Sequence, residues 1–341
     1  MSSESHFETG RLLGTPIADL GLTIEGTDLV PVLTEFRQEL ERAGIRRLKP
    51  HFYLSDEWGV PFETIAIGIP FYLARADLIT LQAERVGHLE GVGRVDLLRY
   101  LRHEMGHVVN YAYRLYEQPD WVARFGAMTQ PYLDEYRPEP FSRRFVRHLP
   151  GWYAQKHPDE DWAETFAVWL TPGQDWRADY AAFPDALAKL EYCDATMLTV
   201  VSRDPIVTAT ERDDDVNQLR DSLGHHYAGA TNDTVEGLPP GLDGALRAIF
   251  EDPGTQPMDG SARLPAHALI LLLERELMAN VFRWTGHFPE RTRRLVALLA
   301  ERARELNLVY AADREIASAV AVTTLVTALA MNHVQRGSYV S

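Results

Sequence analysis

His103, Glu104 and His107 stand in the order His-Glu-x-x-His within residues 97–111, a stretch that reads as a helix. Two histidines four apart on a helix point the same way and can hold one metal ion, with the intervening glutamate beside its water. The chemistry this spacing suits is hydrolysis by metal-activated water, with Glu104 as general base. Leu97, Leu98, Leu101, Met105, Val108 and Val109 recur at helical spacing as one apolar stripe. Tyr100, His103, Glu104, His107 and Tyr111 fall on a different face. A catalytic zinc needs a third protein ligand and one open position. Residues 151–170 offer that ligand on a second helix, with Pro158 suited to its first turn and Pro172-Gly173 closing it. Trp162, Phe166 and Trp169 form its apolar stripe, and Glu160 and Glu164 share the opposite face at i and i+4. Either carboxylate can reach a metal from there, and the helix N-terminus favours an ionised Glu160.

Taken together, the two stretches are recognisable. His103-Glu104-Met105-Gly106-His107 followed by His157-Pro158-Asp159-Glu160-Asp161-Trp162-Ala163-Glu164-Thr165-Phe166-Ala167 closely resembles the putative zinc-binding metallopeptidase family. More loosely it is similar to the gluzincin-type group that includes lethal-factor-like peptidases. The resemblance spans roughly residues 49–192 and implies an α+β, zincin-like metallopeptidase domain with a small, edge-stranded sheet. It implies one Zn2+ per chain, held by His103, His107 and Glu160. Glu164, with Asp161, is then the acid that sets the imidazole tautomer. Tyr153 becomes the hydroxyl that steadies the oxyanion or protonates the leaving amine, with His148 and Tyr111 as further candidates. The implied activity is zinc-dependent hydrolysis of a peptide or protein substrate. The alternative is a non-catalytic or latent zinc-fold regulator that binds a peptide or protein partner.

The rest of the chain must position these residues. The net charge of −15 argues against nucleic acid and anionic membranes as partners. Cys193, the single cysteine, excludes an intrachain disulfide and a thiolate zinc finger. The first residues carry neither a basic stretch nor an apolar run, so a cytoplasmic protein is expected. A helix is expected over 29–44, capped by Gly44, with strands over 51–54 and 64–73. Pro70 places the second strand at a sheet edge, which either pairs with substrate or is simply protected by its proline. The proline-bearing segment 116–151 reads as irregular; its basic run 141–148 is a carboxylate-binding patch or a solvated face. His225-His226 reads as part of a surface loop. We expect the metallopeptidase domain over 1–200 and an α-helical region over 201–341, with helices over 265–284, 289–306 and 312–334. The nearly uncharged stretch 316–331 is shorter than the roughly 20 apolar residues of a membrane span and reads as a buried bundle helix. The oligomeric state is left open.

Overall fold

The structure is a computed structural model that describes residues 10–86, 89–132, 136, 138–229, 242–252 and 262–339. The chain divides into two compact units, one of residues 1–136 and 141–232, the other of 137–140 and 233–341.

In the first unit, α1 (Leu29–Arg42) is followed by β1 (His51–Ser55) and β2 (Ala66–Pro70). These strands pair in parallel, from His51 opposite Ala66 to Ser55 opposite Pro70. Every residue of β2 is buried, the usual condition of a parallel strand covered on both faces. The strand is shorter than expected because Pro70, without an amide donor, is its last residue and Phe71–Ala74 coils into a 3-10 turn. On its other side Gly68 N–H donates to Gly59 O at 2.8 Å, so the loop after β1 covers part of that edge.

Helices α2 (Ala76–Arg85), α3 (Arg94–Ala112) and α4 (Pro119–Phe125) come next. They are followed by α5 (Pro158–Leu170) and α6 (Pro184–Val200). Leu101, Met105, Val108 and Val109 on α3 are fully buried with Phe36 of α1, Trp121 of α4, and Trp162 and Phe166 of α5. The partly buried Arg102 on α3 grips the buried Glu39 of α1 through two hydrogen bonds, of 2.9 and 2.8 Å. After α6 the chain does not leave this unit. Ile206 N–H donates to Ala112 O, Val216 N–H to Leu54 O and Leu223 N–H to Thr15 O. That return over the strands is why the unit runs past residue 200. It ends in α7 (Leu223–Gly229), so His225-His226 lies on a short helix rather than in a loop, with the His226 ring edge-on to Phe71 at 5.3 Å.

The second unit holds α8 (Leu242–Ile249), β3 (Arg263–Pro265), α9 (Ala266–Leu272) and α10 (Glu274–Thr285). It continues with α11 (Pro289–Glu305), β4 (Val309–Ala311) and α12 (Glu315–Arg336). The helix expected over 265–284 is two helices that break at Leu273, while β3 and β4 pair antiparallel. Leu246, Ile270, Leu277, Val296, Leu299, Val326 and Ala330 form its core. The last helix corrects the expectation of a buried element. Val322, Val326, Leu329 and Val334 are buried, but Ile316 and Val320 on the opposite side are 82% and 61% exposed. Residues 312–336 are also long and apolar enough, by length and composition alone, to cross a bilayer.

Candidate metal centre

Two helices build the site, and their closeness begins with one glycine. A β-carbon at Gly106 of α3 would lie 2.6 Å from the α-carbon of Ala163 on α5. Only a hydrogen fits there, so the helices meet at backbone distance. Trp162 Nε1–H donates to Gly106 O at 2.8 Å and locks the crossing. His157 starts α5: its Nδ1 accepts the Asp159 N–H at 3.2 Å, and its Nε2 donates to Gln130 O at 3.1 Å. Asp159, Glu160 and Asp161 follow in the first turn, where the helix dipole favours carboxylates.

His103, His107 and Glu160 converge there, all buried. His103 Nε2 is 3.0 Å from Glu160 Oε2 and 3.3 Å from His107 Nε2, and the third edge measures 3.4 Å. Ligands about 2.0–2.1 Å from a tetrahedral zinc stand about 3.3–3.4 Å from one another. The donor set therefore fits a zinc-sized ion in both spacing and chemistry. Among the described residues it is the one group of three converging metal-capable side chains.

Behind each imidazole stands a carboxylate. His103 Nδ1–H donates to Glu164 Oε1 at 2.9 Å and His107 Nδ1–H to Asp159 Oδ2 at 2.9 Å, which leaves both Nε2 atoms facing the centre. Glu164 in turn accepts the amides of His148 (2.7 Å) and Leu149 (2.9 Å), while Asp159 accepts from Asn110 Nδ2 (2.7 Å) and the Tyr111 hydroxyl. Burial works against the charged imidazole of His103, but hydrogen bonds to Glu160 and Glu164 outweigh it and hold the group up at about 9. His107 is likewise raised, against burial, by the charges of Asp159 and Glu160. Burial alone would raise Glu160, yet the two histidines hold it well below the usual carboxylate range. Glu104 behaves in the opposite way: burial pushes it up to about 7 against the pull of both histidines.

Residues 69–228 match the family model described as Putative zinc-binding metallo-peptidase. The match spans 160 of the 341 residues. No curated protein and no solved structure matches the chain. The match contains all the residues just described, so the resemblance read from the two motifs is borne out over this metallopeptidase segment.

Within it, the expected residues separate. Glu160 reaches the histidine Nε2 atoms, while Glu164 takes the position behind His103. Asp161 does not approach either imidazole; it pairs with Lys189 of α6 at 2.5 Å. Asp159 stands behind His107 instead, because positions 159 and 161 lie about 100° to either side of Glu160 on the helix. Tyr153 faces the site with its ring 5.5 Å from that of His103, turned there by left-handed backbone at Gly151 (φ 83°) and Trp152 (φ 63°). Its hydroxyl is 3.5 Å from that of Tyr132, which donates to Glu160 Oε1 at 2.6 Å. Tyr132 was not expected, and its irregular, proline-flanked setting offers no periodic signal. Tyr111 and His148 brace Asp159 and Glu164 rather than face the centre. The basic run is absorbed into the same support: Arg147 stacks over Trp152 at 4.1 Å and Arg143 over Phe183 at 5.5 Å.

Proposed function

We propose that the first unit is a zinc-dependent peptide hydrolase of zincin-like, gluzincin-type construction with one zinc per chain. The observation that carries this reading is the convergence of His103, His107 and Glu160, with each histidine backed by a carboxylate. Zinc held by these three residues supplies Lewis acidity, lowering the pKa of a water molecule and polarising the scissile carbonyl. Glu104, buried beside the cluster, takes the water proton on a carboxylate oxygen and later gives it to the departing amine. Burial pushes the Glu104 carboxyl upward, the direction that favours its taking a proton. Tyr153 donates its hydroxyl proton in a hydrogen bond to the oxygen that becomes negative as the carbonyl is attacked. Glu164 and Asp159 hold the imidazoles in the tautomer that presents Nε2.

Elemental mass spectrometry of the purified protein, combined with a peptide-hydrolysis assay, tests the reading. We expect about one zinc per chain, lost in Glu160→Ala. Glu104→Gln should keep the metal and lose about 10²-fold or more in hydrolysis. Full activity in zinc-loaded Glu104→Gln would sink the scheme, and a protein that takes up no zinc would remove its basis.

A further inference from the structure

Phe62, Tyr116, Val122, Ala127, Met128 and Thr129 line an apolar cavity of about 560 Å3. That volume falls in the range of about 300–1,000 Å3 typical of ligand pockets. Among the described residues, no charged side chain lines it. Contacts run from both of its sides toward the residues around the metal cluster. On one side the Phe62 ring meets Tyr111 edge-on at 5.1 Å, and Tyr111 lies 6.1 Å from the His107 ring. On the other, Ala127, Met128 and Thr129 run directly into Gln130 and Tyr132, which bond His157 and Glu160.

The lip is held in a costly arrangement. Glu63 (φ 56°) and Arg114 (φ 48°) are non-glycine residues in left-handed backbone, and they pair with each other at 3.1 Å. Glu63 Oε1 also accepts the Tyr116 hydroxyl at 2.8 Å, so this pair fixes Phe62 and Tyr116 where they stand. Strained backbone of this kind persists where the surroundings enforce it and gathers at binding sites. Phe62 is nonetheless 58% exposed, an aromatic face left for something apolar to cover.

We propose that this cavity receives a large apolar side chain of the peptide and so selects which bonds are cut. The Phe62 ring lies at most about 11 Å from that of His107 through Tyr111, and an extended chain advances about 3.3–3.6 Å per residue, so the selected side chain lies within about three residues of the scissile bond. The proposal rests on the hydrolase reading for its substrate, but side-chain recognition can be read without turnover. Full-length, zinc-loaded Glu104→Gln protein would be titrated with acetyl-Gly-Phe-Gly-amide, acetyl-Gly-Ala-Gly-amide and acetyl-Gly-Lys-Gly-amide, following binding by NMR. Separately, wild-type protein would digest a peptide library, with cut sites read by mass spectrometry. We expect the Phe peptide to bind at least about tenfold more tightly than the other two. Met128→Lys and Phe62→Ala, each introduced into the Glu104→Gln background and checked for an unchanged melting profile, should erase that advantage. Library cuts by the wild type should be enriched in large apolar residues at one position. Equal binding of the three peptides, or an advantage that survives both substitutions, overturns the cavity's role. Discriminating binding with an uncut library would retain the cavity and refute the hydrolase; an unselective digest with equal binding would do the reverse.

Discussion

At the scale of single residues, the site is a set of hydrogen bonds that decide which nitrogen faces the metal. Glu164 both orients His103 and collects the amides of His148 and Leu149. Glu164→Ala should therefore weaken zinc binding about 10–100-fold without abolishing it, whereas Glu160→Ala removes a ligand; competition with a chromogenic chelator separates the two. Protonation gives a second expectation. A ligating imidazole must be neutral at Nε2, and His103 is held at about 9 with His107 raised as well. Zinc must displace those protons, so affinity should rise as pH climbs toward 9 and fall about tenfold per pH unit per displaced proton on acidification. Calorimetry at pH 7 in buffers of different ionisation enthalpy should record close to two protons released per zinc. Much of this level was legible in the sequence, because four-residue spacing on a helix fixes a shared face. The choice between Asp159 and Asp161 was not, since it depends on how α5 is rotated against α3. Tyr132 was invisible for a related reason: a contact made from irregular backbone leaves no period to read.

At the scale of elements, the crossing of α3 and α5 is what turns two motifs into one site. Gly106→Ala places a methyl group where only a hydrogen fits, and must drive the helices apart by repacking. Overpacking of this kind costs about 1–3 kcal/mol, and here it should also weaken zinc binding, because His107 and Glu160 sit on the two separated helices. Denaturant titration and metal affinity measured on one sample test both effects. The signal for this contact was present in the sequence: a glycine inside a strongly periodic helix costs about 1 kcal/mol relative to alanine and implies a close neighbour. The pairing of Lys189 with Asp161 ties α6 to α5 in the same core. Lys189→Met would leave Asp161 buried without its partner, and breaking such a pair costs about 3–5 kcal/mol. Burial already holds Asp161 up at about 7 despite Lys189. The carboxyl of the variant would thus be neutral in mild acid, and the destabilisation should be larger at pH 8 than at pH 6. The length of the parallel pair and the break at Leu273 were not legible, because both reflect what packs around the strand and helix rather than their local pattern.

At the scale of the whole molecule, two units with separate apolar cores should unfold in two calorimetric steps. Zinc held by the proposed site would bind only the folded first unit and should raise that step alone. Acid should act on the other. His287, buried in the second unit between Thr292 and Tyr339, is lowered to about 3 by desolvation and by the charges of His333 and Arg291. Between about 6.5 and 3 the unfolded chain binds a proton there that the native unit does not. The second step should accordingly weaken as pH falls through that window, by about 1.4 kcal/mol per unit, and His287→Gln should flatten the slope. The buried cage of the first unit carries a different consequence. With no metal, the surrounding carboxylates pull His103 and His107 toward the charged form, and two imidazolium charges would equal the charge of one Zn2+. Exchanging the ion for two protons leaves the interior electrically the same. Small zinc modules collapse when stripped because the binding free energy of the metal is most of what folds them. Here protons act as a placeholder, so the chain can reach its native shape first and be supplied with zinc afterwards.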